Sequence, residues 1–241
     1  MAGTAVRGRL AWQVATVAAI KEETATARTI TFDVPRWAGH RAGQHLDVRL
    51  TAEDGYTAER EYSIASAPGE PLGITVQRLD DGEVSPYLTG ELRTGDELEI
   101  RGPAGGYFVW DGGDDPLLLV AGGSGIVPLR SILRHRARTG SRVAARLVYS
   151  VRSLADAIYR DELDRLGAAV TWTLTRKQPS GWTGRSGRVT PALLGEVAWP
   201  PAEHPLAFVC GPTSFVETVA SSLTGLGYPA DRVKTERFGG A

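Results

Sequence analysis

"PLLLVAGGSGIVPLRSILRHRART", residues 116–139, decides the fold. Leu117 to Ala121 is an unbroken apolar run, the mark of a strand covered on both faces. Glycines then crowd one turn, and from Ile126 the apolar residues recur at helical spacing while arginines fill the gaps. Strand, glycine turn and helix in this order open a parallel α/β unit. Gly123, Gly125 and Pro128 give G-x-G-x-x-P, which differs in its last position from the G-x-G-x-x-G of dinucleotide-binding turns. Glycines there permit a tight turn and close approach of backbone to a pyrophosphate.

Downstream the alternation continues. "RVAARLVYSV" reads as a strand, "LADAIYRDELDRLG" as an amphipathic helix, and "AVTWTLTR", "TPALLGEV", "PLAFVCG" and "TSFVETVASSLTGLG" carry on the pattern. Upstream the texture changes. "WQVATVAAI", "ARTITFDV", "HLDVRLT", "EYSIAS", "GITVQRL" and "DELEIRG" are short alternating runs cut by Gly, Pro and Asp, as in a closed antiparallel barrel. One helical window, "VSPYLTGEL", interrupts them, and "WDGGDDP" (110–116) is the natural hinge. The expected architecture is a Greek-key antiparallel β-barrel over 1–112 followed by a doubly wound parallel sheet over 113–241.

The bulk numbers fit a globular chain of one or two domains: 241 residues, 42% hydrophobic, 23% charged, 29 glycines. A single cysteine, Cys210, excludes an internal disulfide framework and any site that needs several thiolates in this chain. The four histidines (His40, His45, His135, His204) show neither triad nor metal spacing, so no metal site is expected. The formal net charge of −1 provides no field for nucleic acid, and no run is long enough to span a membrane. With no apolar core of signal-peptide length at the start, a cytoplasmic protein is the expectation. Residues 130–188 nevertheless hold thirteen basic against four acidic side chains. They read either as a solvated helix face or as a surface for phosphate or an acidic partner.

Four further stretches carry candidate chemistry. "EREYSIASAP" (59–68) brings Arg60, Tyr62 and Ser63 together at a strand end. "VQRLDDGEVSPYL" (76–88) runs from Val76 and Arg78 to Gly82, Val84 and Ser85; Ser85 fits a helix N-cap with Pro86 first in the helix. Free N–H groups at such a start also attract anions, with Arg60 and Arg78 to match. "FVCGPTSFVETV" (208–219) repeats strand, turn and helix through Cys210, Gly211 and Pro212, and the chain closes on "KTERFGGA", with Glu236 and Phe238 on a last strand.

Together these pieces resemble the ferredoxin–NADP reductase superfamily, in the family's order from "GQHLDVRL" to "ERFGG". Arg60-x-Tyr62-Ser63 is similar to its R-x-Y-S/T flavin motif. The resemblance implies that Tyr62 lies against the isoalloxazine, Ser63 hydrogen-bonds near N5 and Arg60 pairs with flavin phosphate. It also implies that Gly82, Val84 and Ser85 bind the pyrophosphate of FAD, with Val76 and Arg78 in the same segment. Gly123, Gly125 and Pro128 match the nicotinamide-dinucleotide turn, and Cys210-Gly211-Pro212 matches the C-G-P motif beside the nicotinamide. Glu236 and Phe238 match the C-terminal acid and aromatic. Ser63, Cys210 and Glu236 then surround the point where hydride passes from nicotinamide to flavin.

For the second cofactor, Arg152, Arg176 and Arg188 resemble the positions that hold the 2′-phosphate of NADP, so NADPH is expected over NADH, with Lys177 and Arg185 as substitutes. With no C-x4-C-x2-C cysteines for a fused ferredoxin, the expected acceptor is a separate protein: a ferredoxin, flavodoxin or oxygenase component. The alternatives are a free-flavin or quinone reductase, and a non-catalytic flavin-holding subunit of a larger complex.

Overall fold

The computed structural model describes residues 10–239. Strands β1 (Gln13–Thr24), β2 (Ala27–Asp33), β3 (His45–Thr51), β4 (Thr57–Ser63), β5 (Gly73–Gln77) and β6 (Glu97–Ala104) build the first half, with helix α1 (Ser85–Gly90) before β6. They pair antiparallel in the order β4-β3-β6-β1-β2-β5. Ile64, one residue past β4, bridges to Ile74 of β5, so the two outer strands meet and the sheet closes. Alternate residues point inward and form one core: Ala15 and Val17, Ile30 and Phe32, Leu46 and Val48, Ile74 and Val76, Leu98 and Ile100.

The second half contains β7 (Leu117–Gly122), α2 (Ile126–Arg138), β8 (Ala145–Val151), α3 (Arg160–Leu163), β9 (Ala169–Leu174), β10 (Arg185–Ser186), α4 (Pro191–Val197), β11 (Leu206–Pro212), α5 (Thr213–Gly225) and β12 (Val233–Phe238). Its six strands are parallel, in the order β10-β9-β8-β7-β11-β12. The apolar run of β7 serves both faces: Leu117, Leu119 and Ala121 pack with α2, Leu118 and Val120 with α4 and α5. The chain steps outward from β7 to β10, then returns to lay β11 against the other side of β7. Ligands of such sheets bind at the carboxyl ends where this reversal occurs.

Two local expectations are corrected. "LADAIYRDELDRLG" is no continuous helix: a 3-10 turn (Leu154–Asp156) is followed by the four residues of α3, with left-handed Tyr159 (φ 61°) between them. Tyr159 is drawn out of helical register because its hydroxyl donates to Thr75 of β5 and its ring lies under the Arg130 guanidinium, 4.4 Å away. Ser85 is not a cap either. Val84 holds the N-cap position with no side-chain bond, and the Ser85 hydroxyl accepts instead from Leu79 N–H at 3.0 Å, closing the 79–85 loop.

The seam between the halves takes up part of the basic surplus. Arg130 donates to Glu162 at 2.8–3.1 Å and to the Ala65 carbonyl at 3.0 Å. Arg134 joins Glu162 (2.7 Å) to Glu70 (2.6 Å), and the Ser131 hydroxyl donates to the Ser66 carbonyl at 2.7 Å. Phe108 meets Phe208 edge-on at 5.2 Å. Arg136 and Arg146 are spent on carbonyls of their own half. Because Arg130 and Glu162 are both largely buried, Arg130→Met leaves the Glu162 carboxylate with Arg134 alone and strips the Ala65 carbonyl of its donor; the expected loss is about 2–3 kcal/mol of unfolding free energy in urea titration.

Candidate functional site

The site forms where the end of β4 faces the carboxyl ends of β7, β11 and β12. Two turns interlock there. A Cβ on Gly125 would lie 2.1 Å from the Cys210 carbonyl oxygen, so only glycine lets the α2 turn seat against the Cys210–Pro212 turn. Gly211 is tight as well, since a Cβ there would come within 2.7 Å of the Phe215 ring, which would have to shift. Phe215 is a residue the sequence reading missed, although its place in the first turn of α5 puts it directly after the Cys-Gly-Pro turn. Pro128 sits in the first turn of α2, where its missing N–H costs nothing, and is buried.

Cys210 and Glu236 stand opposite each other in the β11–β12 register. The Ser63 hydroxyl donates across the seam to Glu236 Oε1 at 3.4 Å, a long bond, while Oε2 is buried with no partner among the described residues. Ser63, Cys210 and Glu236, far apart in the chain, are thus brought together. Burial pushes the Glu236 carboxyl up to about 7, with the Ser63 hydroxyl opposing the shift and the Glu61 charge adding to it. Burial, and then the Glu236 charge, hold the Cys210 thiol well above the usual thiol range. A neutral thiol is no nucleophile, so Cys210 contributes shape and polarity.

On the barrel side Tyr62 is half-buried against the core, and burial pushes its hydroxyl up to about 12 while the Arg60 charge pulls it down. Arg60 is half-exposed and paired with Glu83, and Arg78 is paired with Asp80; the sequence reading had set both arginines free for an anion. Val76 and Val84 are committed to the barrel core and present no side chain to a ligand. Gly82 is confined, a Cβ there falling 2.9 Å from the Ser85 hydroxyl. A cavity of about 550 Å³ opens beside Glu83, walled by Tyr56, Ala58, Tyr87, Arg49 and Glu99.

At the carboxyl edge of the parallel sheet, Arg152 follows β8 and its carbonyl accepts from both Arg176 and Lys177 N–H at 3.0 Å. Arg188 lies two residues past β10. Arg152, Arg176, Lys177 and Arg188 are exposed, and among the described residues no carboxylate pairs with them. Arg185 is different, held by Glu196 at 2.5 Å. Phe238 ends β12 beside Pro212, partly exposed. Among the described residues no cluster of His, Cys, Asp and Glu is arranged for a metal, and no helix is long and apolar enough to cross a membrane.

These residues fit a flavin dinucleotide: an aromatic face, a hydroxyl, basic side chains next to a roomy cavity, and an orphaned buried carboxyl oxygen that seeks a hydrogen-bond partner. Comparison with known proteins agrees. Residues 14–109 match the oxidoreductase FAD-binding domain and residues 119–221 the oxidoreductase NAD-binding domain. Ferredoxin–NADP reductase B of Sorangium cellulosum (strain So ce56) is 38% identical over 211 residues, covering 82% of this chain and 84% of its own. The chain belongs to the ferredoxin–NADP reductase superfamily.

The ferredoxin reductase component of 3-ketosteroid-9-alpha-monooxygenase from Rhodococcus rhodochrous is 36% identical over 233 residues, or 93% of this chain and 64% of that one. The chain spans 62–64% of the length of several such curated relatives. In fold, the flavohem-like FAD/NAD binding domain of nitric oxide dioxygenase from Vibrio cholerae O1 biovar El Tor superposes with a TM-score of 0.85 over 95% of this chain and 99% of its own, at 23% identity. The barrel followed by a doubly wound sheet, expected from sequence, is the superfamily's two-domain arrangement.

The raised Glu236 carboxyl has a measurable signature. Neutral in the fold up to about pH 7 but ionised in the unfolded chain above about 4.5, it removes stability as pH rises between those values. Glu236→Gln should therefore gain stability over the parent progressively from pH 4.5 to 7 and level off above, with no gain below, in urea titrations across that range.

Proposed function

We propose that the protein is an FAD-dependent NAD(P)H reductase that takes hydride from NADPH and passes electrons to a separate acceptor: a ferredoxin, flavodoxin or oxygenase component. The observation that carries this reading is the meeting of Ser63 from the barrel with Cys210 and Glu236 from the parallel sheet. In this reading the chain divides at 112/113 into an FAD-binding and an NAD(P)-binding domain, and works in the cytoplasm. Bound FAD supplies the acceptor for a two-electron hydride and the means to release electrons singly.

The chain's own residues bind, orient and exclude water. Tyr62 offers a flat face to the isoalloxazine. Ser63 holds a hydroxyl toward its reactive edge. Arg60, with Arg78 and the Gly82–Ser85 loop, takes the pyrophosphate, and the cavity walled by Tyr56 and Tyr87 takes the adenosine end. On the other side Gly123, Gly125 and the turn before Pro128 admit the dinucleotide pyrophosphate, while Cys210, Gly211, Pro212, Glu236 and Phe238 shape the nicotinamide pocket. Hydride transfer needs alignment and dryness rather than a strong acid or base, which suits a buried carboxyl and a neutral thiol. NADPH is favoured because Arg152, Arg176 and Arg188 are exposed arginines with no carboxylate partner among the described residues, and a 2′-phosphate gives guanidinium groups a bidentate anion. The Sorangium and Rhodococcus relatives bear names that point to ferredoxin-type and oxygenase acceptors.

Replacing Arg152 and Arg176 together by alanine should raise KM for NADPH on the order of a hundredfold, since each charge-assisted bond is worth at least about 1.5 kcal/mol, with KM for NADH nearly unmoved. Equal changes for both cofactors would contradict the assignment. Tyr62→Ala, which removes about 1 kcal/mol of stacking, should yield protein that loses its yellow colour during dialysis. Anaerobic NADPH oxidation that stalls until a ferredoxin or flavodoxin is supplied would support a protein acceptor; equal turnover with quinone alone would contradict it.

A further inference from the structure

Both arginines assigned above to the flavin phosphate already have carboxylate partners, and both partners come from one loop. Arg60 Nη2 donates to Glu83 Oε2 at 2.5 Å, and the Tyr56 hydroxyl donates to Oε1 at 2.9 Å. Arg78 Nε lies 3.0 Å from Asp80 Oδ1. Asp80 and Glu83 stand on either side of Asp81 and Gly82 in "RLDDGEVS", so the loop that is to receive a pyrophosphate supplies its own anions.

That loop has little freedom to withdraw them. Gly82 N–H donates to the Leu79 carbonyl at 3.0 Å, the Ser85 hydroxyl accepts from Leu79 N–H, and Val84 is buried in the barrel core. Glu83 therefore moves only by rotating its own side chain, and its charge stays near Arg60. A pyrophosphate offers the guanidinium several oxygens and more charge than one carboxylate, so it wins the exchange. The Arg60–Glu83 pair is half-exposed on both sides and correspondingly weak, which makes the exchange easy. The pair must nonetheless be broken, and the displaced carboxylate then sits beside like charge.

We propose that Glu83 is a built-in competitor for Arg60 that loosens the grip on phosphorylated flavin, so that FAD exchanges more readily than the site without this carboxylate would allow. The inference rests on Arg60 as the flavin-phosphate residue. It acts only through phosphate, so riboflavin, which has none, is indifferent to it.

The test is titration of the full chain, freed of flavin, with FAD, FMN and riboflavin, following flavin fluorescence, for the parent, Glu83→Gln and Arg60→Ala. Glu83→Gln is expected to tighten FAD about fivefold, the scale of one exposed ion pair, to tighten FMN likewise and to leave riboflavin unchanged. Arg60→Ala is expected to weaken FAD and FMN. If Arg60→Ala weakens FAD but Glu83→Gln leaves it unchanged or weaker, Glu83 supports the site and the proposal is overturned. A uniform shift across all three flavins in Glu83→Gln overturns it too, pointing to loop structure. If Arg60→Ala holds FAD as tightly as the parent, the assignment of Arg60 fails and the competition with it.

Discussion

Arg130 ties the two halves of this molecule together. Its guanidinium pairs with Glu162, covers the ring of Tyr159 and donates to the carbonyl of Ala65, two residues beyond Ser63. The barrel strand that ends in Ser63 is thereby pinned to the helix that begins at the Gly123–Gly125 turn. Ser131 to Ser66, Arg134 to Glu70 and Lys234 to the Val109 carbonyl reinforce that grip, and together they bring Ser63 within 3.4 Å of Glu236 and set the turns at Gly125 and Cys210 against the barrel. Largely buried charged groups are costly unless every partner is present, and here the network of Arg130, Arg134, Glu162 and Glu70 supplies them.

The site itself is built for placement. The Cys210 thiol and the Tyr62 hydroxyl are kept protonated, away from nucleophilic or basic forms, and burial raises the Glu236 carboxyl to about 7. What remains is a set of shaped surfaces on two rigid sheets, converging from opposite directions. Such a site suits a reaction whose main demand is the alignment of two flat rings in a dry cleft.

Much of this was legible in the sequence because the relevant signals are local. An apolar run long enough for both faces of a sheet, a glycine turn and a helical stripe of Ile and Leu mark the parallel domain; even-spaced alternating runs mark the barrel. Arg60-x-Tyr62-Ser63 and Cys210-Gly211-Pro212 are short and contiguous. The failures lie in side-chain pairings that periodicity does not encode, some of them distant in the chain and some only a few residues apart. Tyr159 lies in a stretch with good helical spacing, yet a hydrogen bond to Thr75, 84 positions away, overrides it. Ser85 looks like a cap until Leu79 claims its hydroxyl. Arg60 and Arg78 look like free cations, since nothing in spacing alone reveals that Glu83 and Asp80 fold back onto them. The basic surplus between 130 and 188 mixes seam residues with exposed ones, and only the three-dimensional pairing separates Arg130 and Arg134 from Arg152 and Arg176.

The most direct measurement of the central claim is rapid anaerobic mixing of the flavin-loaded protein with NADPH and with NADPH deuterated at the transferred position of C4. If the rings meet at the Ser63–Glu236 border, the visible flavin band bleaches in one phase and deuterium slows it. A flavin band that stays fully oxidised on mixing would contradict that arrangement.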